Sequence, residues 1–209
     1  NLLRQVSINA LISFGMTFVI LTGGMSRRMG RDKALLPVDA EPMSRMLARR
    51  YSVLGPVAFS VDRAGRFDCA GYLELPDAFP GQGPLNGLYS AFTRTGENTV
   101  FLTATDMPNG DPALVRTLCA GLDGYDACII ERRSGRYDPL FGVFSRSCLP
   151  KVEEALTGER RSLRSAFSRM NVHYFTEDEL KDWDLEHILA TLNTPEAYES
   201  FLREREAAR

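Results

Sequence analysis

The chain reads as an α/β protein: a three-layer, doubly wound fold with a mostly parallel sheet and helices on both faces. Three observations predict it. Short runs rich in strand formers alternate with segments of helical period, the pattern of strand–helix–strand units. The first run, Thr17-Phe18-Val19-Ile20-Leu21, is apolar without alternation, as a strand covered on both faces must be. Gly and Pro punctuate the joins, as in Gly55-Pro56 and Asp111-Pro112.

The elements follow in order. After Thr17–Leu21, the residues Met43, Met46, Leu47, Tyr51 and Leu54 recur at helical spacing, so a helix is expected from about Pro42 to the stop at Gly55-Pro56. Val57 to Val61 and Tyr72 to Leu75 read as strands. Pro84 opens a helix that Gly96 ends near Thr95, and Thr99 to Ala104 is the next strand. Asp111 is the expected N-cap of a helix with Pro112 in its first turn. Ala127–Glu131 and Leu140–Phe144 are further strands, with Asp138-Pro139 expected as a turn before the second. Helices at Leu149–Leu156 and Ser162–Phe167, a strand at Val172–Phe175 and a charged helix from Pro195 complete the chain. No repeat or long linker divides it.

A length of 209 residues with 44% hydrophobic content suits one domain that buries its own core. Residues 1–15 are expected to be an extension ahead of a natural-looking start at Met16, leaving 16–209 as a single domain. Ile8–Leu21 is apolar but is broken by Asn9, Ser13 and Gly15 and is too short for a membrane span. A net charge of -2 argues against a nucleic-acid binder. Cys69, Cys119, Cys128 and Cys148 form no Cys-x-x-Cys pair and are expected to be reduced, mostly core thiols of a cytoplasmic protein. A zinc site is not expected, because His173 and His187 lie off ligand spacing and read as packing or surface residues.

The most informative stretch is Leu21-Thr22-Gly23-Gly24-Met25-Ser26-Arg27-Arg28-Met29-Gly30-Arg31-Asp32-Lys33. Glycines directly after a buried strand let backbone N–H groups approach phosphate oxygens, and Arg27, Arg28 and Lys33 add the charge a triphosphate needs. The spacing is neither Gly-x4-Gly-Lys-Ser/Thr nor Gly-x-Gly-x-x-Gly, which disfavours both of those phosphate-binding folds. Asp106 stands just past the Thr99–Ala104 strand, where ligands bind in open α/β sheets and a carboxylate suits Mg²⁺. Read alone, it is equally a turn residue before Met107-Pro108.

The run from Leu21 to Pro37 follows Leu-x-Gly-Gly-x-Ser-x-Arg-Met-Gly-x-Asp-Lys-x-Leu-Leu-Pro and resembles the signature of the molybdenum cofactor guanylyltransferases. Pro80-Gly81-Gln82-Gly83-Pro84-Leu85-Asn86-Gly87, Thr105-Asp106-Met107-Pro108, Pro139-Leu140-Phe141-Gly142 and Leu192-Asn193-Thr194-Pro195 follow in the family's order. The resemblance implies a Rossmann-like nucleotidyltransferase fold and transfer of GMP from GTP to molybdopterin. It implies nucleotide contacts at Leu21, Thr22, Gly23, Gly24, Lys33, Asp77 and Asp106, and catalysis by Lys33, Arg27 and Asp106. The metal would be Mg²⁺ on Asp106. It also implies passing contacts with cofactor-biosynthesis proteins and molybdoenzyme chaperones. The resemblance also makes Asp138 a candidate near the acceptor side, although a turn role before Pro139 is the plainer reading of it. Asn193-Thr194-Pro195 has two open readings, an N-cap of the last helix and a part of the acceptor pocket.

Two departures stand out. Thr22 replaces the family's usual alanine, and Ser60-Val61-Asp62-Arg63 replaces an asparagine-rich turn that helps hold the nucleotide in relatives. Competing activities are cytidylyl transfer to the same acceptor, whose enzymes tend to carry Ala-Gly in place of Gly23-Gly24, and sugar-phosphate nucleotidyl transfer. A nucleotide-binding regulator is the non-enzymatic alternative, against which Lys33 and Asp106 speak.

Overall fold

The structure, a computed structural model, describes residues 15–23, 32–79, 81–158 and 161–207. The expected extension at 1–15 lies outside these residues apart from Gly15, as do Gly24 and Arg27 of the glycine-rich stretch.

Among the described residues the main sheet has seven strands in the order β5-β4-β1-β6-β8-β7-β9. These are β1 (Met16–Leu21), β4 (Val57–Val61), β5 (Leu73–Pro76), β6 (Thr99–Ala104), β7 (Ala127–Glu131), β8 (Tyr137–Ser145) and β9 (Val172–Thr176). All pair in parallel except β8, which runs antiparallel to both β6 and β7. A small ribbon of β2 (Pro37–Val38) and β3 (Glu41–Pro42) stands apart, joined through Asp39 and Ala40, both at positive φ. Strands of two residues are too short to carry a period, so this ribbon leaves no pattern in the sequence.

Helices cover both faces. On one lie α1 (Met43–Ser52) and α3 (Pro112–Ala120). Met43, Met46, Leu47 and Tyr51 of α1 are buried, as their spacing predicts, and the Tyr51 ring stacks on Phe18 with centroids 6.2 Å apart. Phe101 and Phe141 continue this aromatic layer at 5.2 Å from Tyr51 and 5.0 Å from each other, respectively. From α3, Cys119 touches Met16 at 3.7 Å between sulfurs. The Asp111 side chain caps α3 by accepting from the Ala113 N–H at 2.7 Å.

The other face carries α2 (Gly83–Thr95), α4 (Leu149–Thr157) and α5 (Leu163–Phe167). Gly96 ends α2 in the left-handed region, where its missing Cβ removes the steric cost. Gly87 serves a different end: a Cβ there would sit 2.3 Å from Leu21 Cδ2 and 3.0 Å from Ser60 Oγ, so with any larger residue the Leu21 side chain or the helix would have to shift. Finally α6 (Leu185–Ile188) and α7 (Pro195–Ala207) follow β9. Phe201 of α7 is buried, and Tyr198 and Arg205 bond the β2–β3 ribbon at the Pro37 carbonyl and the Asp39 carboxylate.

One expectation fails here. Asp138 and Pro139 are not a turn but part of β8. The pairing with β7 jumps between Cys128↔Val143 and Ile130↔Asp138, and this irregularity accommodates a proline that cannot donate to a regular ladder.

Candidate active site

The parallel strands all end at one rim, and the order of connection reverses between β1 and β6. Chain after β1 goes outward to β4 and β5 and then returns to β6 on the other side. A crevice opens at such a switch point, above the carboxyl ends of the strands. Gly23 after β1, Asp77 after β5 and Asp106 after β6 therefore reach the same rim. Asp138 joins it from the other direction, because the antiparallel β8 begins there.

Leu21 closes β1 opposite Ala104, and the Thr105 N–H and hydroxyl both donate to its carbonyl. Thr22 is buried, with its N–H and its hydroxyl both donating to the Ser60 carbonyl, at 3.0 and 2.7 Å. That second bond explains the departure from alanine: the hydroxyl pins the strand exit to β4. Gly23 is exposed, and a Cβ there would meet nothing within 4 Å.

Lys33 begins a short 3-10 turn, Lys33–Leu35, which Asp32 caps by accepting from the Ala34 N–H at 3.0 Å. The Lys33 ammonium donates to Asp106 Oδ2 at 2.9 Å and to Asn193 Oδ1 at 2.8 Å. Neither Lys33 nor Asp106 is fully withdrawn, at 18% and 23% side-chain exposure, so the pair remains open to a ligand. The Asp106 carbonyl accepts from the Leu192 N–H at 2.8 Å, which fixes the approach of Asn193.

The two readings of Asn193-Thr194-Pro195 divide by residue. Thr194 caps α7, its hydroxyl accepting from the Ala197 N–H at 3.2 Å, while Asn193 turns to Lys33.

Asp77 continues the rim, with its N–H bonded to the Val61 carbonyl. Burial raises its carboxyl pKa above the usual range, opposed by the Asn86 side chain, reinforced by Asp62 and opposed again by Arg66. Asp138 is likewise raised, first by burial, with Arg132 and Arg136 pulling it back.

Arg66 is the residue the sequence did not single out. It lies between β4 and β5, yet donates to Asp32 Oδ2 from Nη2 at 2.8 Å and Nε at 3.2 Å, and to the Thr22 carbonyl from Nη1. Partners 34 and 44 residues away leave no local spacing to read. The only available sign was a lone arginine after the unusual Ser60–Arg63 turn.

Among the described residues no group of three or more His, Cys, Asp or Glu is placed to hold a metal unaided. An oxygen-ligated cation shared with substrate phosphates needs fewer protein ligands than that.

Comparison with known proteins fits this arrangement. The model of the MobA-like NTP transferase domain matches residues 18–174. A probable molybdenum cofactor guanylyltransferase of Carboxydothermus hydrogenoformans is 31% identical over 90% of this chain and 95% of its own length. Another, from Pelotomaculum thermopropionicum, is 34% identical over 86% of this chain and 88% of its own. The crystal structure of molybdopterin-guanine dinucleotide biosynthesis protein A from Archaeoglobus fulgidus superposes with a TM-score of 0.78, over 92% of this chain and 100% of that one. Its 22% identity speaks for the fold alone. A family match across most of the chain, with relatives this similar over nearly their full length, makes the protein a nucleotidyltransferase belonging to the MobA-like NTP transferase family.

Proposed function

We propose that the protein transfers GMP from GTP to the terminal phosphate of molybdenum-bound molybdopterin, forming the guanine dinucleotide cofactor and pyrophosphate. The observation that carries this reading is the Lys33 ammonium, held between Asp106 and Asn193 at the β1/β6 switch point. Two oxygen acceptors 87 residues apart in sequence converge there on one positive charge, the electrostatic seat a triphosphate and its counter-ion require.

The chemistry is an in-line displacement. An oxygen of the acceptor phosphate bonds to the α-phosphorus, the bond from that phosphorus to the β-bridging oxygen breaks, and pyrophosphate leaves. The nucleophile is already anionic, so no Ser–His or Cys–His pair is needed. Catalysis then comes from alignment and from charge neutralisation. Lys33 releases Asp106 to bond phosphate oxygens, and Arg27 adds a second positive charge. The backbone after Leu21 and Thr22, at Gly23 and Gly24, lies against the nucleotide, and Asp77 accepts from a nucleotide hydroxyl or amine.

Mg²⁺ suits this donor set. The oxygens now bonded to the Lys33 ammonium are hard donors already facing a cation, and Asp106 with Asn193 would hold the ion once Lys33 turns to the phosphates. The ion supplies neutralisation of the triphosphate charge. Guanine is supported by the family resemblance and by the open space at Gly23, where a Cβ would stand in cytidylyl-type relatives. In this reading the reaction takes place in the cytoplasm, and the product passes to molybdoenzyme chaperones and other cofactor-biosynthesis proteins, as the family resemblance implies.

Purified protein, Mg²⁺ and molybdopterin are mixed in turn with GTP, CTP, ATP and UTP, and pyrophosphate and dinucleotide product are measured. GTP-selective turnover is expected. Lys33→Ala and Asp106→Ala are each expected to lower kcat by about 10²–10³-fold, the scale of removing one preorganised charge-stabilising group. Selectivity for CTP would overturn the base assignment, and near-normal turnover in both variants would overturn the site.

A further inference from the structure

We infer that Arg66 is a positioning residue for nucleotidyl transfer, a guanidinium strut that sets the Lys33 turn against the end of β1. The inference rests on the nucleotidyl-transfer reading of this rim and adds a residue to it.

The argument starts from geometry. The Arg66 side chain is 12% exposed, and its Nε, Nη1 and Nη2 are all engaged. On one side it holds Asp32 Oδ2, and Asp32 in turn caps the turn on which Lys33 stands. On the other it holds the Thr22 carbonyl, at the strand exit already pinned to Ser60. One planar group thus fixes the relation between the strand leading to Gly23 and the residue whose ammonium meets Asp106. A lysine at position 66 carries the charge but lacks the fork that reaches both acceptors together.

Charge gives a second, independent reason. Asp32 and Asp62 lie within ion-pair distance of Arg66, at 2.8 and 3.4 Å, and the Asp77 carboxyl also feels its field. Without this cation, three carboxylates would confront a bound triphosphate with less compensation. Loss of the fork should therefore act on kcat, and loss of the charge on nucleotide affinity, so the two can be separated by choice of variant.

The test uses full-length protein carrying Arg66→Lys, Arg66→Ala, Asp32→Asn, or the last two together. Arg146→Ala serves as a matched control. Arg146 is another arginine holding two backbone carbonyls, of Phe92 and Glu97, but it lies at the other end of the strands, beside the start of β6. For each protein, Tm, the calorimetric Kd of whichever Mg²⁺–nucleoside triphosphate the wild type binds, and kcat and KM for pyrophosphate release are measured.

Arg66→Ala is expected to lower kcat/KM by about 100-fold, the scale of a displacement near 1 Å in a reacting site. Arg66→Lys should keep Kd within about threefold yet lose roughly tenfold in kcat, since charge is retained and alignment is not. Asp32→Asn should add little once Arg66 is Ala, because both act through one contact. Arg146→Ala should lower Tm with kcat and Kd unchanged. The inference is overturned if Arg66→Lys matches the wild type in kcat, or if Arg66→Ala behaves like the control. Should Arg66→Ala fail to fold, Arg66→Lys and Asp32→Asn decide alone. A wild type that selects another base or another acceptor refutes the proposed reaction while leaving this comparison intact.

Discussion

Gly110 lies in the loop that carries Asp106 from β6 into α3, and substituting alanine there tests how rigidly that loop is held. A Cβ at Gly110 would stand 2.1 Å from Tyr51 Oη and 2.8 Å from Phe141 Cε2. Neither ring has room to yield, since both are 0% exposed and packed against Phe101. A flip of the tyrosine about its own axis leaves the hydroxyl where it was. The loop must therefore withdraw, against the bond from Arg50 Nη1 to the Gly110 carbonyl at 3.0 Å. Overpacking of this kind costs about 3 kcal/mol at the upper end. The restricted unfolded chain returns up to about 1 kcal/mol, because Gly110 is not at positive φ and alanine fits its backbone. The overlap wins, with a net loss of about 2 kcal/mol and a fall in Tm of roughly 4–8 °C for a chain of this size. Calorimetric or denaturant unfolding of Gly110→Ala, Tyr51→Phe and the double variant measures it. Removing the hydroxyl leaves Tyr51 Cζ at 3.4 Å as the nearest tyrosine atom, with the Phe141 contact unchanged. About half the loss should then vanish, a coupling near 1 kcal/mol. If the two substitutions add within about 0.5 kcal/mol, the steric account is wrong.

Three further outcomes follow from other parts of the molecule. Asn193→Ala removes one acceptor from the Lys33 ammonium at an exposed position, so kcat should fall roughly tenfold while stability changes by less than about 1 kcal/mol; unchanged kcat in a steady-state assay would refute it. Burial would raise the pKa of Asp126, but Lys151, the Ser147 hydroxyl and the Asn171 N–H outweigh it and hold the carboxyl below its usual range. Its stabilising contribution is therefore complete above about pH 4 and lost as pH falls through the lowered value. Asp126→Asn should cost about 2 kcal/mol at neutral pH, the scale of hydrogen bonds to a charged group, and the gap in Tm from wild type should close on acidification; a gap constant from pH 7 to 3 contradicts this. Burial pushes the thiols of Cys119, Cys128 and Cys148 up to about 12 and that of Cys69 up to about 11. Alkylation of the native protein, read by peptide mass spectrometry, should therefore reach Cys69 first and the others only on unfolding.

What the sequence discloses here is whatever is written locally. Thr99–Ala104 and Ala127–Glu131 lie where their apolar runs place them, and Asp111 and Gly96 mark helix ends because capping is a matter of one residue and its neighbours. Strands and caps together predict the rim, which brings Gly23, Asp77 and Asp106 to one edge. Asp138-Pro139 misleads because a proline signals a turn, whereas a shift in pairing with β7 lets it remain in a strand. The contacts that define the site run across 73 and 160 residues for Lys33 and across 34 and 44 for Arg66. No periodicity encodes such pairs. Family resemblance pointed to Lys33 and Asp106, but Arg66 became visible only once the chain was folded.

The bond between Lys33 and Asn193 also sets a timetable. During synthesis, β1, β4, β5 and β6 have all been made once Ala104 has been added, and the hydrogen bonds that join these four strands lie within that stretch. The acceptor that completes the Lys33 seat arrives only when Asn193 is free to dock, after Leu192 has reached the Asp106 carbonyl. A nascent chain can therefore possess half its sheet and every residue of the glycine-rich stretch while its charged seat is still missing one side. The site is complete only after Asn193 has been made, and a chain cut short before that point is a scaffold with an unfinished socket.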